Sequence, residues 1–258
     1  MDEVLLVGFS RPATDDEPRL NCKAHGPHQP RARTHSLRRT LHMSLAASNS
    51  DLAGYYDRLA PDYDRLHRRW LWHAGGEAQA ALEATVRAVA MPDMELLDAG
   101  CGTGAFARRL LSEGQVRPRI TLLDPSDAML TRCADIPAEL VQGRLEQLPF
   151  QSDRFDIVTC AWALETATSL EKALDELCRM VRPGGLLCLA FCAQKKPLSF
   201  KDRTMRMALA LRGSGQFLPV DNIEAFLEGT GGFLVRTLPC SGPVAALIVR
   251  RSARMSSH

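Results

Sequence analysis

The sequence has no hydrophobic run long enough to cross a membrane and almost no excess of either charge. Its longest uncharged apolar stretch, 184–193, is about half of the roughly 20 residues that a membrane-spanning helix needs, and it predicts a buried strand instead. A net charge of +2 over 258 residues indicates neither nucleic acid nor a membrane as the main partner. With 45% hydrophobic residues, the composition is that of one soluble domain with a sizeable core.

The eight cysteines include no CxxC pair. In a chain of this length they are typical of reduced core thiols in an intracellular protein, not of a secreted disulfide framework. We therefore expect no metal site and a cytoplasmic location.

Residues 1–42 are rich in Pro, Arg and His and lack a sustained apolar period, whereas regular patterning begins soon after Met43. We predict a disordered N-terminal extension over 1–42 and one folded domain over 43–258. A transit peptide is one interpretation of the clustered arginines, but the acidic residues of the segment oppose it. We favour an upstream extension ahead of a natural start at Met43.

Beyond this point strand and helix signals alternate. Strand-like runs lie at 94–99, 119–124, 155–161 and 186–193, and helical periodicity lies at about 69–90, 104–114, 168–181 and 221–229. Such alternation is typical of βαβ crossovers and a parallel sheet. The segments 232–238 and 244–251 predict a terminal antiparallel hairpin.

The stretch "LLDAGCGTGAFARRLL" (96–111) is a strand-like run that breaks into three glycines and resumes at helical spacing. In a strand-loop-helix unit, such glycines allow a tight turn and the close approach of a ligand. The free N–H groups at the start of the helix favour a polar or anionic group there.

The next strand ends in Asp124, twenty residues after Gly104. That spacing places a carboxylate at the tip of the neighbouring strand, where it can accept both hydroxyls of a ribose. A nucleoside ligand is therefore predicted. "GCGTGA" also satisfies the dinucleotide pattern if Ala105 is the third small residue, so an NAD(P)-dependent oxidoreductase stays open.

Four further segments accompany the glycine loop in fixed order. They are "YYDRLAPDYDRL" (55–66), "LEQLPFQSDRFDIVTCAWALE" (145–165), "LDELCRMVRPGGLLCLAF" (174–191) and the terminal hairpin. Over about residues 51–250 the chain resembles the class I S-adenosylmethionine-dependent methyltransferases, in the branch that contains ubiquinone/menaquinone C-methyltransferases. The resemblance implies a Rossmann-like α/β fold whose seven-stranded sheet has the order 3-2-1-4-5-7-6, with strand 7 antiparallel and helices on both faces. It implies S-adenosylmethionine as the cofactor.

Carried over residue by residue, the resemblance assigns the glycine loop to the methionine half of the cofactor and the end of strand 2 to its nucleoside. The cofactor residues so implied are Tyr63, Asp98, Gly100, Gly102, Thr103, Gly104, Asp124, Pro125, Met129, Arg144, Leu145 and Ala161.

Three residues of this set depart from the family or have a second interpretation: Tyr63, Arg144 and Leu145. The family carries Asp-Ala or Asn-Ala where this chain has Arg144 and Leu145, and arginine has no acceptor for the adenine amino group. The Leu145 N–H can still reach the ring. Tyr56 and Tyr63 resemble aromatic residues that close over the cofactor, although each also fits a packed core tyrosine.

Many relatives carry a histidine just after strand 4, where this chain has Glu165 and Thr166. A general base is needed only if the acceptor must lose a proton near the transfer step. Glu165 is the candidate catalytic residue, and a helix cap or a solvent-facing side chain is the alternative.

Signatures of macromolecular acceptors are missing. Strand 4 carries no [DN]-P-P-[YF] motif, and no Arg/Lys stripe is interleaved with aromatics as nucleic-acid binding would favour. We expect a small-molecule or lipid acceptor and no nucleic acid. A cofactor-binding subunit that has lost catalysis is a third hypothesis, and the oligomeric state stays open.

The basic segment at about 194–217 lies where the family places an insertion over the acceptor. Helical spacing puts Phe200, Met207 and Leu211 on one face and lysines and arginines on others. We interpret it as a lid that attracts an anionic acceptor or makes a peripheral membrane contact. An ordinary solvated helix is the alternative.

Overall fold

The computed structural model describes residues 49–113, 117–194 and 216–253. The predicted extension over 1–42 lies outside the described residues, and so do residues 195–215 of the predicted lid at about 194–217.

Strands and helices alternate along the chain as the sequence predicts. The strands are β1 (Glu95–Ala99), β2 (Arg119–Asp124), β3 (Glu139–Gln142), β4 (Phe155–Ala161), β5 (Val181–Gln194), β6 (Leu218–Pro219), β7 (Phe233–Leu238) and β8 (Val244–Arg251). The helices are α1 (Asn49–Trp70), α2 (Gly76–Val89), α3 (Ala105–Glu113), α4 (Asp127–Thr131), α5 (Leu170–Met180) and α6 (Val220–Gly229), with a π-helical turn at Leu71–Gly75 and a 3-10 turn at Leu164–Thr166.

The sheet has the order β3-β2-β1-β4-β5-β8-β7, and the two-residue β6 pairs only with the end of β5. Strands β1 to β5 are parallel, whereas β8 runs antiparallel to both β5 and β7. The predicted order 3-2-1-4-5-7-6 is therefore confirmed, because β7 and β8 are the predicted sixth and seventh strands.

Both faces of the sheet are buried, as expected for parallel strands whose crossovers carry helices. Successive residues of a strand point to opposite faces, so Leu97 and Val158 contribute to one core and Leu96 and Ile157 to the other. Apolar positions of α5 and α6 cover the first face, and those of α2 and α3 cover the second.

The helix predicted at 69–90 is longer and less regular in the structure. It begins at Asn49, contains Pro61, and passes through the π-helical turn before α2. The sequence signal was weak before residue 69 because α1 is largely polar. It buries a narrow stripe against the glycine loop, not a broad face against the sheet. Strand β3 was also missed, since it lies at the sheet edge and is mostly exposed.

This topology decides where a ligand can bind. The chain runs outward from β1 to β2 and β3 and then crosses from β3 to β4 on the other side of β1. The strand order therefore reverses at β1, and a crevice opens at the carboxyl ends of β1, β2 and β4. Asp98 and Asp124 lie at these ends, with Asp98 paired to Leu122 and Asp124 to Gln142.

Candidate active site

The glycine loop between β1 and α3 has a backbone that other residues rarely adopt. Gly100, Gly102 and Gly104 have φ of 78°, 54° and 74°, in the left-handed region. The N–H groups of Gly100 and Cys101 both donate to the Leu123 carbonyl oxygen, at 2.7 and 3.0 Å, which fixes the loop to the end of β2.

Each of the three glycines leaves room for a different neighbour. A Cβ at Gly102 would stand 3.3 Å from the Tyr63 ring, on the side where a ligand can enter, whereas one at Gly100 would stand 2.3 Å from the Ala163 Cβ. A Cβ at Gly104 would point into the core, 2.4 Å from Ile136 Cδ1. Gly104, predicted as a cofactor residue, thus lies beneath the cleft and allows α3 to pack closely on the chain after α4.

We predict that Gly104→Ala destabilises the fold by about 1–3 kcal/mol, because both the left-handed backbone and the clash with Ile136 oppose a side chain. Urea denaturation measures the change. Gly229→Ala is the matched control, since a Cβ there meets nothing within 4 Å, and its effect should stay within about 0.5 kcal/mol or be stabilising. Equal effects of the two substitutions would contradict this account of Gly104.

Asp124 organises the loop from the adjacent strand. It is 7% exposed, and its two carboxylate oxygens accept the Gly102 N–H and the Ser126 N–H, each at 2.9 Å. Burial raises the pKa of Asp124 to about 6, and the two N–H donors oppose that rise. Each carboxylate oxygen has a second lone pair, so the group can accept a ligand hydroxyl in addition.

A first cavity of about 570 Å³, including its open mouth, extends from Asp124 along the ends of β2 and β4. The lining combines predicted cofactor residues with residues of α1 and of the 3-10 turn: Leu52, Tyr56, Tyr63, Gly100, Gly102, Leu123, Asp124, Pro125, Met129, Arg144, Leu145, Glu146, Trp162, Ala163, Thr166 and Ala167.

A second cavity of about 340 Å³ lies on the other side of the glycine loop and is more polar. It is lined by Tyr63, His67, Gln79, Asp98, Gly100, Cys101, Thr103, Ala105, Phe106, Arg109, Ala161 and Trp162. The structure therefore divides all the predicted cofactor residues except Gly104 between two adjoining cavities.

Asp98 lines the second cavity and has one carboxylate oxygen without a hydrogen-bond partner. It is 3% exposed; its Oδ1 accepts the Thr159 hydroxyl at 2.9 Å, and its Oδ2 is buried without a hydrogen-bond partner. Burial raises the pKa of Asp98 to about 7, and the Thr159 bond opposes that rise. Arg109, held by buried Glu83 at 2.7 Å, lines the same cavity. The Asp98 carboxyl and the Arg109 guanidinium therefore line the same cavity.

Helix α1 covers both cavities. The Thr103 hydroxyl donates to Asp64 at 2.5 Å, and the Ser126 hydroxyl donates to Asp57 at 2.5 Å, so α1 is attached to the glycine loop and to the cap of α4. These bonds place Tyr63 over Gly102. The Tyr63 ring stacks on His67 with centroids 5.4 Å apart. Burial lowers the pKa of His67 to about 4, so this ring is neutral at physiological pH.

Glu165, the predicted catalytic residue, lies in the 3-10 turn behind the cavity wall and is 6% exposed. Its Oε1 accepts the Cys192 N–H of β5 at 2.5 Å, and its Oε2 is buried without a hydrogen-bond partner. Burial raises the pKa of Glu165 to about 7. The side chain does not face solvent.

Sequence reasoning missed Trp162. This residue follows β4, lines both cavities, and has φ of +60°, which is unusual for a bulky side chain. The tryptophan next to Ala161 was the available signal, because the end of strand 4 was already expected to form a wall of the site.

Among the described residues no helix is long and apolar enough to cross a bilayer, and no cluster of potential metal ligands is found. The seven cysteines of the described ranges are free.

Residues 97–189 match the family described as "Methyltransferase domain". The chain is 31% identical to a malonyl-[acyl-carrier protein] O-methyltransferase of Enterobacter lignolyticus over 79% of this chain and 77% of the relative. It is 28% identical to a ubiquinone/menaquinone biosynthesis C-methyltransferase of Bartonella quintana over 70% and 73% of the two chains.

A solved structure of an S-adenosylmethionine-dependent methyltransferase from Thermotoga maritima has the same fold, with a TM-score of 0.57, 19% identity, and coverage of 77% of this chain and 98% of that one. The geometry leaves a choice between two nucleoside cofactors, and the relatives resolve it in favour of S-adenosylmethionine. The chain belongs to the class I S-adenosylmethionine-dependent methyltransferases.

Proposed function

We propose that the chain transfers the methyl group of S-adenosylmethionine to a small-molecule or lipid acceptor, with the adenosine in the first cavity and the amino-acid end in the second. The division of the candidate site into two cavities of different polarity supports this proposal. A ribose acceptor, Asp124, opens onto the larger cavity, while an acid and a cation, Asp98 and Arg109, share the smaller one.

The residues present fit this cofactor chemically. The unpartnered Oδ2 of Asp98 can accept an ammonium N–H, and the Arg109 guanidinium can donate to a carboxylate, so the pair suits a zwitterionic amino acid. Met129 and Leu145 supply apolar contact for a base on the other side of the glycine loop. Arg144 lines this side in place of the polar acceptor of the family.

When bound, S-adenosylmethionine supplies a methyl group already activated by a sulfonium. The protein then has to orient the two reactants and exclude water, and orientation can contribute roughly 7–11 kcal/mol to lowering the barrier. The attachment of α1 through Asp57 and Asp64 serves this task, because it holds Tyr56 and Tyr63 over the cleft.

The names of the relatives and the lining of the first cavity support the proposed acceptor class. The matched relatives methylate, by their names, quinone precursors at carbon and an acyl-carrier-bound malonyl group at oxygen. The first cavity is partly apolar and open to solvent, and we place the acceptor near Tyr56 and Thr166. We propose an acceptor with a planar or acyl hydrophobic part.

The test is untargeted transfer. Purified protein is incubated with methyl-labelled S-adenosylmethionine and separate small-molecule, lipid and protein fractions of a cell extract. Label should enter the small-molecule or lipid fraction. Label confined to protein, or S-adenosylmethionine binding without transfer to any fraction, would contradict the proposal and favour a subunit without catalysis.

Glu165 lies behind the wall that Ala163 and Thr166 form in the first cavity, and we propose it as a base that acts through one bridging water on an acceptor that must lose a proton. Because its carboxyl has a pKa of about 7 and becomes a base only when ionised, the rate should rise with pH through this value. We predict that Glu165→Gln removes this limb of the pH profile and lowers kcat by about 100-fold or more at pH 8, with little change in S-adenosylmethionine affinity.

The control is Glu146→Gln, which alters another carboxylate of the first cavity, one that accepts the Thr168 N–H and hydroxyl. It should preserve the pH limb. If Glu165→Gln lowers the melting temperature but leaves the shape of the pH profile unchanged, Glu165 only ties the 3-10 turn to β5.

A further inference from the structure

We infer that Trp162 is a specificity-determining residue: its indole contacts the sulfonium centre and makes the site prefer the charged cofactor to the neutral thioether product. The inference rests on the cofactor placement proposed above. It concerns an affinity ratio, which can be measured without an acceptor.

The junction between the two cavities locates the sulfonium. Tyr63, Gly100 and Trp162 line both cavities. The sulfur joins the ribose to the amino-acid chain, so a cofactor with one part in each cavity has its sulfur at this junction. Gly100 has no side chain, and the other two residues carry aromatic rings. Of these, indole attracts a cation most strongly.

Trp162 is held in its position against its own backbone preference. Its φ of +60° is costly for a bulky residue, and such strain persists only when neighbouring contacts impose it. The backbone N–H of Trp162 donates to the Ala190 carbonyl oxygen at 2.7 Å. The Trp162 ring packs edge to face on Trp70, with ring centroids 5.6 Å apart. Strain of this kind concentrates at functional sites.

A buried polar chain fixes the direction of the ring. The indole Nε1–H donates to Gln79 Oε1 at 2.6 Å, and Gln79 Nε2 donates to Glu83 Oε1 at 2.6 Å. Glu83 also binds Arg109 at 2.7 Å and Arg87 at 2.9 Å. One buried carboxylate therefore supports both the aromatic wall and the cation of the second cavity, and Gln79 is a positioning residue for Trp162.

The expected consequence is selectivity by charge. A cation over an indole face is attracted by the ring quadrupole, and more strongly where water is excluded. The product, S-adenosylhomocysteine, is neutral at sulfur and gains nothing from this attraction. Loss of ring contact area weakens both ligands alike, so it cancels in the ratio of their dissociation constants.

Calorimetric titration tests the inference with S-adenosylmethionine, S-adenosylhomocysteine and an analogue that carries a protonated amine in place of the sulfonium. Trp162→Leu should lower the preference for the two charged ligands over the neutral one by about 5- to 30-fold. Trp162→Phe keeps a π face and should have a smaller effect. Trp72→Leu is the matched control, because Trp72 is 86% exposed, and it should leave the preference unchanged.

Gln79→Leu tests the positioning role. It should reduce the preference in the wild-type background but not in Trp162→Phe, which already lacks the indole N–H. Thr121→Val, which also removes a side-chain hydrogen bond of a buried residue but lies farther back along β2, controls for loss of stability. Additive effects of Gln79→Leu and Trp162→Phe would overturn this role.

The outcomes separate the inference from the proposal beneath it. If Asp124→Ala weakens binding of all three ligands while Trp162→Leu leaves their ratio unchanged, the cofactor lies in the cleft as proposed and Trp162 is only a wall. If neither substitution changes any affinity, the placement itself is wrong.

Discussion

Replacing Asp124 with alanine should weaken S-adenosylmethionine binding by about 10- to 100-fold, because the change removes a charged acceptor worth about 1.5–3 kcal/mol. The substitution acts twice. It removes the proposed acceptor for a ribose hydroxyl, and it frees the Gly102 and Ser126 N–H groups that the carboxylate now fixes. Calorimetric titration measures the dissociation constant.

The pH dependence of binding gives a second check on Asp124. Its pKa of about 6 in the folded protein means that the carboxyl takes up a proton as the pH falls through this value and loses acceptor capacity. Wild-type affinity should therefore decline below about pH 6, and the Ala variant should lack this decline. Asp127→Ala, an exposed aspartate of α4, is the control and should bind as the wild type. An affinity unaffected by Asp124→Ala would exclude this carboxylate from the site.

Asp98→Asn should stabilise the protein at alkaline pH and at the same time weaken cofactor binding. The buried carboxyl has a pKa of about 7 in the folded chain against 3.8 for the ordinary value. Between these two values the folded state holds a proton that the unfolded state has released. The free energy of unfolding therefore falls as the pH rises through this window, and the full penalty is present above it.

The neutral amide removes that penalty. At pH 8 the variant should gain up to about 4 kcal/mol in the free energy of unfolding relative to wild type, and the gain should vanish near pH 4. Urea denaturation at a series of pH values checks this. S-adenosylmethionine affinity should fall by about tenfold, since an amide offers no charge to an ammonium. Asp93→Asn, an exposed neighbour, should change neither quantity.

Two outcomes of the Asp98→Asn experiment would contradict this account of Asp98. A variant that loses stability at every pH would show that the carboxylate is compensated in the folded chain, and that its Oδ2 is not the unpaired group described above. A variant that gains stability but binds as tightly as wild type would place the ammonium elsewhere in the second cavity.

Much of the candidate site could be proposed from sequence because its residues lie within single strand-loop-helix units. The run 96–111 dictates a strand, a left-handed turn and a helix, and Asp124 follows at the spacing of the next parallel strand. Such patterns are local, since side-chain period and glycine conformation act over a few residues. The fold and the cofactor type followed from this unit together with the ordered motifs downstream.

Only the tertiary structure decided what the buried polar groups do. Trp162 meets Gln79 across 83 residues of chain, and no sequence period connects β4 to α2. Gly104 has the spacing of a ligand glycine, yet its hydrogen faces Ile136, because the turn directs it toward the core. Asp98 resembles any strand-end carboxylate until burial leaves one of its oxygens unpaired. The sequence by itself determined the elements and the residues that could bind the cofactor. Their burial and long-range partners, which set charge and orientation, arose only when the elements packed.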